Sequence, residues 1–281
     1  MSLQQVELHY GSSPSLAARA SAHRVAERAD ALLGSGISVT TGADGALVFH
    51  HGRHIRQYVS GPVTARTAVR EIDKTANASV YAAIADQSWS CRDAAERIDA
   101  STHVRLLTES IAAPFDPDLR LALFHGVLQA LVELTQPDVI VFLHSEQAVA
   151  ASDYLATCEH PPIERLGAIN TRFFTVENSA SDMIMDTRGL EEIGLHDLQC
   201  HFRDLDPDDV SRVLYSTALY VFEHGPVIES GETITGTEPG SMWQCQFEES
   251  LLAPRRTVLD LNAGPGHAAG ERETTATHDK R

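Results

Sequence analysis

Residues 172–222 read RFFTVENSASDMIMDTRGLEEIGLHDLQCHFRDLDPDDVSRVLYSTALYVF, and this stretch decides the fold class. Arg172 to Val176, Met183 to Asp186 and Leu198 to Phe202 are short β-rich runs separated by polar turns, so strands follow one another directly and pair antiparallel. Asp206-Pro207-Asp208-Asp209 then opens a helix: the aspartate caps, the proline fits the first turn, and the next acids complement the helix dipole. Val210, Val213, Leu214, Thr217, Ala218, Val221 and Phe222 keep one apolar face, and His224-Gly225-Pro226 stops it. Strands in succession beside capped helices predict an α+β fold with mixed, mostly antiparallel sheets rather than a doubly wound one.

The same signature stands ninety positions upstream at Asp116-Pro117-Asp118, whose helix runs to about Leu134 with apolar residues around most of its circumference. Pro137 ends it, and Val139 to Leu143 follows as a strand covered on both faces. Each capped helix succeeds an expected strand, His103 to Thr108 in one case and Leu198 to Arg203 in the other. Two tandem related α+β halves therefore stand as an alternative to two independent uses of a common helix start. Nearer the N-terminus, 5–10 alternates as a strand, Ser13-Pro14 opens a helix that Gly34 closes, and Ile37 to Thr41 with Ala46 to His51 form a hairpin. Ile55 to Val59 adds a third strand and Arg92 to Ala100 a short helix; the residues between them carry no clear pattern. Thr233 to Thr235, Trp243 to Phe247 and Thr257 to Leu261 complete the strands, and 262–281 lacks apolar periodicity, as a disordered tail does.

The formal charge of -17 is unevenly placed: residues 1–100 and 262–281 balance, whereas 101–261 carries nine basic and 26 acidic residues. The expected organisation is thus an N-terminal α+β region at 1–100, an acidic α+β region at 101–261 and the tail. Such a surface repels phosphate backbones and anionic lipid, which argues against nucleic acid and membrane and for a basic protein partner. The chain has no apolar run of membrane-spanning length and does not start like a secretory signal, so a cytoplasmic location is expected. Cys91, Cys158, Cys200 and Cys245 form no Cys-x-x-Cys and read as small buried groups.

Phosphate-cradling Gly-rich loops, the Gly-x-Ser-x-Gly elbow and His-Glu-x-x-His are all missing from the sequence, so no cofactor is expected. Among fourteen histidines the densest cluster is His196 to His201. On an extended strand His196 and Cys200 share a face roughly 13 Å apart, too far for one metal ion whose ligands sit about 2 Å away, and no metal site is expected. The strongest enzymatic alternative gathers His144, Glu146, His196 and His201, polar residues at expected strand ends.

Met183-Ile184-Met185-Asp186-Thr187-Arg188-Gly189-Leu190, then Ile193-Gly194-Leu195, Tyr220 to Ile228, and Gly231-Glu232-Thr233-Ile234-Thr235-Gly236 together resemble the bacterial family known as domain of unknown function 4261. Ser88-Trp89-Ser90-Cys91 through Val104 looks like the upstream part of full-length members, with Cys91 where an aromatic residue is more usual. The resemblance implies a bacterial cytoplasmic protein and assigns no activity or catalytic residue. Gly189, Gly225 and Gly236 read as turn and helix-end positions, and Leu190, Leu195, Ile228 and Ile234 as core, so the motif serves folding. The functional expectation is a non-enzymatic interaction domain presenting an acidic surface to a partner protein, a toxin-neutralising immunity protein being one form. The alternative is a small-molecule hydrolase or metal-dependent enzyme.

Overall fold

The computed structural model describes residues 3–12, 19–112 and 115–270. The fold is α+β and divides into two compact units, Met1–Asn170 with Thr187–His196, and Thr171–Asp186 with Asp197–Arg281. The charge break at 100/101 falls inside the first unit. Among the described residues no helix is long and apolar enough to cross a membrane.

The first unit runs β1 (Gln5–Tyr10), α1 (Arg19–Leu33), β2 (Ile37–Thr41), β3 (Leu47–Tyr58), β4 (Gly61–Ile72), α2 (Ala78–Asp86), α3 (Ala94–Ala100), β5 (His103–Ser110), α4 (Pro117–Thr135), β6 (Val139–Phe142), β7 (Gln147–Ala150) and α5 (Ala151–Ala156). Its strands order as β2-β3-β4-β5-β1-β6-β7, each antiparallel to its neighbours. The alternation of β1 turns Val6, Leu8 and Tyr10 towards one face, where they share a core with Val25 and Ala29 of α1 and Phe124, Val127 and Leu131 of α4. On the other face Val139 and Val141 pack with Tyr81 and Ile84 of α2 and Ile98 of α3. Helices on both sides leave every residue of β6 at 0% exposure, as its unbroken apolar run predicts.

Two expected strands, Ala46 to His51 and Ile55 to Val59, are one strand, β3, whose pairing with β4 shifts register between His51 and Ile55. The uncharted segment after it holds β4 and α2. The Ser13-Pro14 helix start lies outside the described residues.

The second unit contains most of β8 (Asn170–Thr175) and β9 (Asp182–Arg188), then β10 (Asp197–Arg203), α6 (Pro207–His224), β11 (Thr233–Thr235), β12 (Met242–Glu249) and β13 (Thr257–Asn262). The strand order is β11-β12-β13-β10-β9-β8, with β10 and β13 parallel. Arg172 and Arg256 fasten this sheet: Arg172 Nε donates to Asp186 Oδ1 at 2.9 Å, Arg256 Nη2 to Asp186 Oδ2 at 2.8 Å, and Arg256 Nε to Asp197 Oδ2 at 2.9 Å. All four side chains are buried. Residues 263–270, within the segment read above as a tail, return to β10 through a bridge between Phe202 and Ala268, and Ala269 is 1% exposed. Residues 271–281 lie outside the described residues.

Candidate functional site

In the second unit, α6 and β11 enclose a groove. The cap forms as the sequence dictates, Asp206 accepting from the Asp208 N–H at 2.9 Å with Pro207 in the first turn. One stripe of the helix, Val210, Leu214, Thr217, Ala218 and Val221, is buried. The adjacent stripe of Asp209, Val213, Ser216 and Tyr220 is left to line the groove. At the end of α6, Gly225 takes a φ of 80°, a left-handed conformation costly for other residues, and the chain reverses towards β11. Gly236 follows β11 where a Cβ would lie 2.2 Å from Trp243 Nε1, so only glycine lets the buried indole sit beneath the turn.

The result is a hollow of about 780 Å³ lined by Ser216, Tyr220, Val227, Ile228, Ile234 and Met242, with a second hollow of similar volume sharing Ser216 and Thr235 and extending towards Asp209 and Leu219. Tyr220, Val227 and Met242, apolar residues of this lining, are 47%, 47% and 55% exposed. Tyr220 is held by stacking on His224 with ring centroids 4.4 Å apart. The surrounding segment 204–249 holds ten acidic residues against a single arginine, Arg212, which is paired with Asp209. Cys245 in β12 is buried, and burial pushes its thiol up to about 11.

The sequence-derived candidates lie elsewhere and do different things. His144, in the first unit, is fully enclosed; Nδ1 stands 3.1 Å from the Gln5 carbonyl, Phe124 and Phe142 meet its ring edge-on, and burial pushes its pKa down to about 4. Glu146 adopts a φ of 54° and faces Arg188, Nε to Oε1 at 3.3 Å, while its carbonyl accepts from Asn170 Nδ2 at 3.0 Å. His196 is exposed after the turn at Glu191–Ile193, and His201 sits half-buried on β10 of the second unit. Among the described residues no three or more His, Cys, Asp or Glu side chains stand together as metal ligands would.

Sequence reasoning missed a polar cluster on the first unit's sheet. Ser101 Oγ lies 3.0 Å from His9 Nδ1, His9 Nε2 lies 3.0 Å from Glu7 Oε2, and Glu7 also accepts from Tyr81 at 2.7 Å and Asn77 at 2.5 Å. The order resembles a nucleophile, base and acid, but Glu7 and His9 are 0% exposed, Ser101 is 5% exposed, and its hydroxyl is engaged with the Ile98 carbonyl at 2.7 Å. The cluster is an internal clamp between β1 and the α2–α3 layer. Burial alone would raise the Glu7 carboxyl, but the hydrogen bonds from His9, Asn77 and Tyr81 outweigh it and hold the pKa below the ordinary value. The visible signal was the Glu7, His9 alternation in β1, which reads equally as a solvent face until α2 and α3 are placed over it.

No curated protein and no solved structure matches the chain. Residues 186–262, which contain α6, β11, β12 and the whole groove, match the family model described as Domain of unknown function (DUF4261), bearing out the family resemblance over that segment of the chain.

Proposed function

We propose that this chain is a protein-interaction domain that receives a basic segment of a partner protein in the α6–β11 groove. The supporting observation is the coincidence of open apolar side chains, Tyr220, Val227 and Met242, with ten acidic residues and one paired arginine in the same segment. Apolar anchors gain by leaving water, and an acidic rim draws a cationic partner and repels nucleic acid and anionic lipid. Capture of a basic toxin by an immunity protein is one form of this reading, and four cysteines that form no disulfide bond suit a cytoplasmic setting.

The test uses an acetylated, amidated octapeptide alternating arginine and valine, with an aspartate–valine peptide as its control. Binding measured by calorimetry should be confined to the basic peptide, weaken several-fold between about 50 and 200 mM salt, and fall again in Glu223→Lys/Glu229→Lys, two exposed positions beside the groove. Equal binding of both peptides, or indifference to salt, overturns the proposal.

A further inference from the structure

Resting on that reading, we infer that the partner segment binds as an added β-strand along the free edge of β11. This strand ends the six-stranded sheet, with β12 on one side and, among the described residues, no strand on the other. Its pairing fixes which backbone groups are spoken for. The Gly236 N–H donates to Ser241 O at 2.9 Å and the Cys245 N–H to Glu232 O at 2.8 Å, which puts the bonded pairs on even-numbered residues, Ile234 with Trp243 included. Thr233 and Thr235 occupy the alternating non-bonded pairs, so their N–H and C=O groups are directed away from β12. Both threonines are exposed. Four backbone donors and acceptors thus stand in the spacing an extended chain needs, on a strand that lines both hollows.

Natural edge strands are blunted by being very short, by lysine, proline or a covering element. β11 is short, but its Thr-Ile-Thr carries neither lysine nor proline. An extended occupant alternates its side chains, so every second residue faces the hollow that Tyr220 and Val227 line while its neighbours face the other side of the sheet. The occupant is therefore an extended segment of another protein with aliphatic residues alternating with arginine or lysine. A second copy of this chain is disfavoured, because pairing two β11 edges would bring together two segments each carrying ten acids and one arginine.

Thr233→Pro and Thr235→Pro test the inference without disturbing the sheet. Each removes an N–H that β12 does not use, and proline is tolerated on an edge strand in that position. The arginine–valine octapeptide is titrated into the full chain and into both variants, alongside two versions N-methylated on either the valine or the arginine amides. Each proline variant should weaken the octapeptide about tenfold, with thermal unfolding unchanged, and one N-methylated version should lose binding while the other keeps it. If salt-dependent binding persists unaltered in the variants and with both methylated peptides, strand addition is wrong and the acidic groove stands. If the octapeptide shows no binding up to about 1 mM, both fail. Sedimentation equilibrium supplies the remaining outcome: a dimer that Thr235→Pro dissociates would assign the edge to a second copy and overturn the proposal.

Discussion

Arg120 of α4 and Glu109 of β5 meet through two bonds of 2.7 Å, Nε to Oε1 and Nη2 to Oε2, with the side chains 1% and 2% exposed. A buried bidentate pair of this kind gains little over an apolar pair of similar size, yet each ion depends on the other to remain charged away from water. Arg120→Leu should therefore destabilise the protein by about 3–5 kcal/mol in urea titrations, and Arg120→Leu/Glu109→Leu should recover most of that loss. Equal losses in the single and double variants would contradict the account. Neither residue was legible as a pair: Arg120 sits among leucines on a helix whose apolar residues already surround it, and only the strand packed opposite supplies its carboxylate. The same holds for Glu7, His9 and Ser101, the last of which meets His9 from 92 positions further along the chain. A pattern with period two states that Glu7 and His9 share a face and is silent about what covers it.

Helix starts were the most legible elements because their cause is local. Asp116 accepts from the Leu119 N–H at 2.9 Å and Asp206 from the Asp208 N–H at 2.9 Å, each followed by proline and acid, as the residue order alone predicts. Asp206→Ala should cost about 1 kcal/mol of unfolding free energy and Asp206→Asn much less, since asparagine retains the accepting oxygen; identical melting of the two variants would show the cap to be idle. By contrast β4 hid in plain sight. Val63, Ala65, Thr67 and Val69 alternate with Thr64, Arg66, Ala68 and Arg70, but alanine and threonine carry the inward positions and make a weak strand signal. Small residues suffice there because α4 comes close to β4, leaving Ala65 and Thr67 almost fully covered. α2 was missed for a related reason, its apolar residues being mostly alanine. The groove was half legible: Gly225, Gly236 and the flanking motif marked the turns that build it, while the exposure of Tyr220, Val227 and Met242 follows only from where β11 pairs.

At the scale of the whole molecule, acidification pulls stability in opposite directions. Protonating carboxylates relieves the repulsion inherent in a net charge of -17, whereas the buried histidines resist the proton that the unfolded chain accepts. Burial, reinforced by neighbouring histidines, holds His51 down to about 4; burial likewise holds His144 to about 4 and His125 well below the ordinary histidine value. Folded-state values below the unfolded one mean that the stabilisation is fully present above pH 6.5, declines as the unfolded state takes up protons, and levels off near pH 4. For one histidine moved from 6.5 to about 4 the change is on the order of 3 kcal/mol. Because relief of the net charge opposes this loss while carboxylates held below their ordinary values, Glu7 and Glu133 among them, add to it, the wild-type slope alone does not isolate the histidine effect, and the variant His144→Asn does. Asparagine places a non-titrating donor near the position of Nδ1, which faces the Gln5 carbonyl. Urea titrations at pH 7, 6 and 5 should show the wild type losing more stability on acidification than His144→Asn, the curves converging towards pH 4. Parallel pH profiles for the two proteins would mean that His144 takes up its proton inside the fold, and the aromatic enclosure of Phe124 and Phe142 would then have to admit a charge.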